Sequence, residues 1–254
     1  MASKSKIEWT EVTWNPVTGC SKVSAGCKFC YAEVMAKRLK AMGVEQYNDG
    51  FKLRLAPHQL NAPFKWKKKK LVFVNSMSDL FHEDVPLEYI QRVFKTMNST
   101  KHIYQVLTKR SERLLELSPF LTWTPNIWMG VSVENQNFTY RVTDLLGTNA
   151  QVKFLSIEPL IGKINFIKLK GIDWVIVGGE SGPKARPLKK EWIQTLKNKC
   201  EIREIPFFFK QWGKKEFNEN PNDPTIQTEH DQHAKGGCQV DGEVYREMPE
   251  NTCV

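Results

Sequence analysis

Three cysteines, Cys20, Cys27 and Cys30, stand within eleven residues, just ahead of a stretch with helical character from Ala32 to Met42. Three thiolates in one loop can hold three irons of a [4Fe–4S] cluster and leave the fourth iron open to a ligand. A structural zinc site usually wants a fourth protein ligand, and none stands in this loop. His58 and His82 lie further along and could supply one. The spacing therefore favours a cluster on Cys20, Cys27 and Cys30 and keeps zinc as the alternative. Cys200 falls in an expected helix and suits a buried apolar thiol. Cys238 and Cys253, together with His230 and His233, could form a second metal site.

Other chemistry recurs at the ends of short apolar runs. Leu71 to Val74 is followed by Asn75, Ser76, Ser78 and Asp79, and His102 to Leu107 by Thr108, Lys109 and Arg110. Ile127 to Val131 leads to Ser132, Glu134 and Asn135, and Val152 to Ile157 leads to Glu158. Trp174 to Val177 precedes Gly178, Gly179, Glu180 and Ser181, and Pro206 to Phe209 precedes Lys210, Gln211 and Trp212. The runs are rich in β-branched and aromatic residues with little alternation, as expected of strands buried on both faces of a parallel sheet.

Helical spacing fills most of the gaps. Pro86 to Met97 reads as a helix with Asp84 as its N-cap, Ser111 as the cap of Glu112 to Leu117, and Phe138 to Leu146 and Lys190 to Cys200 as two more. The gap from Ile157 to Trp174 shows little helical signal. The alternation predicts an α/β fold, a closed or partly open (β/α) barrel of six or more parallel strands, with a doubly wound sheet as the alternative. In such folds the site lies at the C-terminal ends of the strands, so the polar endings predict one shared pocket. Gly178 and Gly179 would let a ligand approach the backbone closely. Residues 1–217 read as the β/α domain, with the cysteine loop at 20–30. Residues 218–254 read as a polar loop and C-terminal extension of the same domain.

Of 254 residues, 41% are hydrophobic and 26% charged, the balance of a globular chain with a sizeable core. No apolar run is long enough for a membrane span, and the first residues lack the apolar stretch of a secretory signal. The expected location is the cytoplasm, where cysteines stay reduced. Lys and Arg outnumber Asp and Glu by 37 to 28, and residues 1–70 hold 14 of the former against 5 of the latter, which is the whole net +9. The basic part ends in Lys65, Trp66 and Lys67 to Lys70. Such a run can meet nucleic-acid phosphates or form a solvated turn.

The cysteine loop resembles that of radical S-adenosylmethionine enzymes, Cys-x3-Cys-x2-Cys with an aromatic before the last cysteine. Phe29 matches the aromatic, while the first gap here holds six residues. Longer stretches resemble the phage Gp37/Gp68 family, also described as a domain of unknown function and regarded as radical-SAM-like. They are Ile7 to Thr10, Trp14 to Cys20, Phe73 to Phe81, Gln105 to Arg110, Gly130 to Asn135, Phe154 to Leu160, Asp173 to Pro187, Phe207 to Gly213, Val240 to Gly242, and Met248 with Pro249. The resemblance implies a radical-SAM-like, partly open (β/α) barrel in a bacterium or phage-infected host. It implies a [4Fe–4S] cluster on Cys20, Cys27 and Cys30, with S-adenosylmethionine chelating the open iron and cleaved to a 5′-deoxyadenosyl radical after reduction by a partner protein. Phe29 would lie near the adenine, Asn75 and Ser76 at the methionine end, Ser132 and Glu134 at the ribose or carboxylate, and Gly178 and Gly179 at the adenine edge. Lys109, Arg110, Glu158, Glu180 and Lys210 remain as catalytic residues for the substrate.

Charge adds an expectation of a nucleic-acid or nucleotide substrate met through residues 65–70. Two other functions compete: a non-catalytic, metal-stabilised nucleic-acid-binding module, and a radical enzyme acting on a peptide or small metabolite.

Overall fold

The computed structural model describes residues 3–5 and 7–250. Eight strands form one sheet in chain order: β1 (Ser3–Lys4), β2 (Val12–Trp14), β3 (Leu71–Val74), β4 (Ile103–Thr108), β5 (Ile127–Ser132), β6 (Val152–Ile157), β7 (Trp174–Val177) and β8 (Phe207–Phe209). β1 pairs antiparallel with β2. From β2 to β8 all seven strands are parallel neighbours. The sheet is a partly open half-barrel, a general α/β architecture with nothing in it specific to radical enzymes.

Helices α1 (Tyr31–Ala41), α2 (Leu87–Asn98), α3 (Ser111–Leu117), α4 (Tyr140–Leu146) and α5 (Lys190–Glu201) intervene, and the short α6 (Glu229–Ala234) lies near the C-terminus. The six expected strands are all present, within a residue or so at each end. The short β1 and β2 carry too few apolar residues to stand out in the sequence. Asp84 is not the cap of α2: Pro86, with extended backbone, holds that position. Ser111 is the first residue of α3, and its hydroxyl donates to Asp144 of α4 at 2.5 Å. No helix spans the gap between β6 and β7. Beyond α6 the chain returns to the open edge, where the Phe209 N–H donates to the Tyr245 carbonyl and Phe208 bridges to Arg246. Among the described residues, no helix is long and apolar enough to cross a membrane.

The period of two along each strand separates two cores. Val72 and Val74 of β3, and Ile127, Met129 and Val131 of β5, face the helices. Leu71, Phe73, Trp128, Phe154, Trp174, Ile176 and Phe208 share the other core with Trp9 from the segment before β2. Trp174 is its hub, with edge-on contacts to Trp9, Trp128 and Phe208 at 6.0–6.3 Å between ring centroids. These rings plug the concave side of the half-barrel towards the strand N-termini.

Gly130 makes room for that plug. A Cβ there would stand 2.5 Å from Cζ of the fully buried Phe154. Gly130→Ala is therefore expected to cost about 1–3 kcal/mol through overpacking, read as a lower denaturant midpoint at unchanged slope. An unchanged midpoint would show that the plug has slack.

Candidate functional site

The same period that points aromatics inward at the lower ends of the strands points polar groups inward at the upper ends. Trp128 is followed two residues at a time by Gly130 and Ser132, Phe154 by Ser156 and Glu158, and Phe208 by Lys210. On β4 the series Ile103, Gln105, Leu107 continues to Lys109. Above the plug Leu107, Lys109, Ser132, Ser156, Glu158 and Lys210 line a cavity of about 310 Å³, walled also by Trp9, Phe29, Phe73 and Tyr31 and rimmed by Gly179, Glu180 and Gln211. That volume falls within the range of small-molecule sites, about 300–1,000 Å³. A smaller space of about 140 Å³ shares Lys109, Ser132, Phe73, Cys27 and Cys30 with it, and reaches Cys20, Asn75, Ser76, Asp79 and Arg110.

Two ammonium groups enter the larger cavity. Lys109 Nζ donates to Ser132 Oγ at 2.9 Å and forms no ion pair among the described residues. Lys210 Nζ lies 3.3 Å from Glu158 Oε1. Lys109, Glu158, Glu180 and Lys210 thus meet in one space, as the strand endings suggested, with Phe29 and Ser132 beside them.

Arg110 and Glu134 do other work: they hold the cysteine loop. Arg110 Nε donates to Glu83 at 2.7 Å, and its Nη2 donates to the Ser21 hydroxyl at 2.7 Å and the Ser21 carbonyl at 3.3 Å. Its Nη1 reaches Asp79 at 3.3 Å. Asp79 in turn accepts from Thr108 Oγ1 at 2.7 Å and from the Lys109 N–H at 3.1 Å. Glu134 is fully buried, pairs with the equally buried Arg141 at 3.0 Å, and accepts from Ser24 Oγ at 2.5 Å. Gly26 packs on that carboxylate so closely that a Cβ would lie 2.5 Å from Glu134 Cγ. Arg186 grips Glu180 through Nε at 2.7 Å, donates to the Ala25 carbonyl at 3.0 Å, and sits over the Phe29 ring at 5.5 Å.

Three other expectations change for local reasons. Asn75 adopts φ 60, and its Oδ1 accepts from the Val17 N–H at 3.2 Å, so it fixes the turn after β3. Ser76 donates to Asn15 at 3.2 Å, and its carbonyl accepts from Tyr31. The glycine pair serves protein packing: a Cβ at Gly178 would meet Glu158 Oε1 at 2.4 Å, and one at Gly179 would meet the Trp212 carbonyl at 1.9 Å.

The cysteines share a cavity wall but not a ligand geometry. Cys20 Sγ sits 3.3 Å from its neighbour's carbonyl and 3.5 Å from Arg110 Nη1. Burial, then Asp79, push its thiol up to about 11 against the pull of Arg110. Cys27 Sγ lies 3.7 Å from Ser24 Oγ. Among the described residues, no group of three or more His, Cys, Asp or Glu side chains could hold a metal ion. This overturns the [4Fe–4S] cluster on Cys20, Cys27 and Cys30, and with it the zinc alternative through His58 or His82. Cys238 is buried apart from the exposed His230 and His233, and Cys253 lies outside the described residues. Cys200 is the buried thiol expected, pushed up to about 12 chiefly by that burial.

A family model matches residues 4–249. The chain belongs to the family described as Protein of unknown function (DUF5131). This corrects the phage Gp37/Gp68 assignment that the motif resemblance suggested. No curated protein and no solved structure matches the chain. With no ligating group among the described residues, the radical enzyme reading falls for this DUF5131 chain, and S-adenosylmethionine and a reductant protein fall with it as partners. The metal-stabilised binding module and the radical enzyme on a peptide or metabolite need the same metal and fall too. The nucleic-acid contact beside the pocket mouth fails on topology. Lys65 to Lys70 lead into the N-terminal end of β3, the opposite end of the sheet from the cavity. Trp66 within that run packs edge-on to His102 at 5.1 Å.

Sequence reasoning missed Trp9, Phe73 and Tyr31 as cavity walls, and Arg141 and Arg186 as anchors. The inward period of β3 could have flagged Phe73. Arg141 lies on the expected fourth helix with no sequence mark of its burial.

Two outcomes follow from the anchors. Arg141→Ala leaves the Glu134 carboxylate buried without its partner and is expected to cost about 3–5 kcal/mol in denaturant unfolding; a loss below 1 kcal/mol would contradict the buried pair. Hydrogen bonding to Arg110 lowers the Glu83 carboxyl from its ordinary 4.5 to about 2. Its contribution is thus present above the ordinary value and lost as pH falls through the folded one. Stability should decline across that acid window, and the decline should be shallower in Glu83→Gln.

Proposed function

We propose that this protein binds a small organic anion with a planar apolar part in the cavity above the aromatic plug. The observation that supports this most directly is the Lys109 ammonium, half-buried against apolar walls with only a neutral hydroxyl for a partner. A charge taken out of water is costly unless paired. An entering carboxylate or phosphate would pair with it at the cost of one hydroxyl contact. Trp9, Phe29 and Phe73 offer surfaces for a flat ring, and a ring against aromatic walls gains from offset or edge-on contact. The Glu158 and Lys210 pair across the cavity gives the ligand a second polar station. A cationic group could take Glu158, or a second anionic group Lys210. Glu180 is committed to Arg186 and serves as rim.

Thermal unfolding with aromatic carboxylates and nucleoside monophosphates as probes tests this reading. Binding to the folded state raises the midpoint by mass action. Lys109→Met keeps the stem and removes the charge. It is expected to weaken the best probe by about 2 kcal/mol, the loss of one charged hydrogen bond and roughly 30-fold in affinity. Equal affinity in Lys109→Met and wild type would remove the anion from the proposal.

A further inference from the structure

We propose that Cys27 and Cys30 form a dithiol–disulfide couple that exchanges with small disulfides at the mouth of the cavity. Cys27 ends a short 3-10 helix (Ala25–Cys27), Cys30 occupies the N-cap of α1, and Lys28 and Phe29 between them form a turn. A four-residue turn brings its first and last Cα atoms within about 7 Å. A disulfide spans about 4.4–6.8 Å between Cα atoms, so the bridge needs side-chain rotation and little movement of the backbone. Both thiols are part-exposed and line both cavities, so a small disulfide can reach them from solvent.

The other cysteines are placed differently. Cys20 is engaged by Arg110 and by the Ser21 carbonyl. Cys200 is buried in α5. Neither shares the turn. Cys30 makes no side-chain capping bond to α1, so bridging it breaks no cap. The loop's contacts to Arg110, Glu134 and Arg186 are made at Ser21, Ser24 and Ala25, all before the turn, so the bridge releases only the 3.7 Å contact of Cys27 Sγ with Ser24 Oγ.

The exchange balances with a low-molecular-weight disulfide as oxidant. One protein thiol, deprotonated, attacks a sulfur of the small disulfide. A mixed disulfide forms, and one small thiol leaves with a proton from solvent. The second protein thiol then loses its proton and attacks the protein sulfur of the mixed disulfide. The second small thiol leaves. Two protein thiols are oxidised, one small disulfide is reduced to two thiols, and the reverse reaction reopens the pair.

The experiment uses the intact wild-type protein equilibrated with mixtures of reduced and oxidised glutathione. Free thiols are then blocked with N-ethylmaleimide and the chain digested with trypsin without reductant. Lys22 and Lys28 place Cys20, Cys27 and Cys30 in three separate tryptic peptides. The expected result is the 23–28 peptide linked to the 29–37 peptide, in an amount that follows the glutathione ratio. Cys20→Ser should leave the link intact, and Cys27→Ser or Cys30→Ser should abolish it. A link that includes Cys20, or glutathione adducts on both thiols with no internal bridge, would overturn the proposal. The deciding readout comes from wild type, so misfolding of a variant cannot obscure it.

Discussion

A parallel sheet curved only part of the way round encloses a space that must be filled, and in this chain indole and phenyl rings fill it. Trp9, Trp128, Phe154, Trp174 and Phe208 close the lower half of the concave face. They leave the upper half to residues two or four positions further along the same strands. The plug therefore sets the floor of the cavity. Large aromatics bring much apolar area to the core, which lets a sheet with an unclosed seam hold its curvature. The returning segment at Tyr245 and Arg246 covers the backbone of β8 at that seam. An uncovered strand edge is a template for unwanted pairing, so this cover protects as well as closes.

The cysteine loop depends on a second constraint, the satisfaction of buried charge. Arg110, Glu134 and Arg186 each reach the loop from beyond a different strand: β4, β5 and β7. Each finds a carboxylate or guanidinium partner within the barrel mouth and a hydrogen-bond partner in the loop. Glu134 and Arg141 are withdrawn from water on all sides, and burying such a pair can cost as much as it returns. The fold keeps the pair where one end meets Ser24, so its contribution is to position the loop. The result is a fixed roof over one side of the cavity, made of a segment with little apolar content of its own.

Much of this was legible in the sequence and some was not, for reasons that differ by residue. The central strands were readable because strands buried on both faces give continuous apolar runs. That Lys109, Glu158 and Lys210 would share one cavity was readable because the fold class places strand ends together, whatever the details of packing. Glu134 and Arg110 occupy the same kind of position, yet they hold the loop. A sequence gives no way to tell a carboxylate that faces a ligand from one that faces Arg141. Gly178 and Gly179 show the same ambiguity: the close approach they permit is to Glu158 and to the Trp212 carbonyl. Three cysteines at suggestive spacing carried the metal expectation, but spacing along a chain does not fix where thiols point. Here Arg110 holds Cys20.

Charge counted along the chain and charge felt in the cavity are likewise different quantities. The whole net +9 lies in residues 1–70, and its densest part is the lysine run before β3. That run is separated from the cavity by the length of a strand of four residues, roughly 13 Å at the usual rise. At physiological salt, exposed charges are screened over about 8 Å, so most of the excess contributes little to the field at the site. Lys109 acts without that attenuation. Its ammonium is half-buried in the cavity wall beside Ser132, and a charge less fully solvated attracts an anion more strongly than one in bulk water. Under the proposed anion-binding reading, one lysine at the end of β4 therefore counts for more at the cavity than the five in the run.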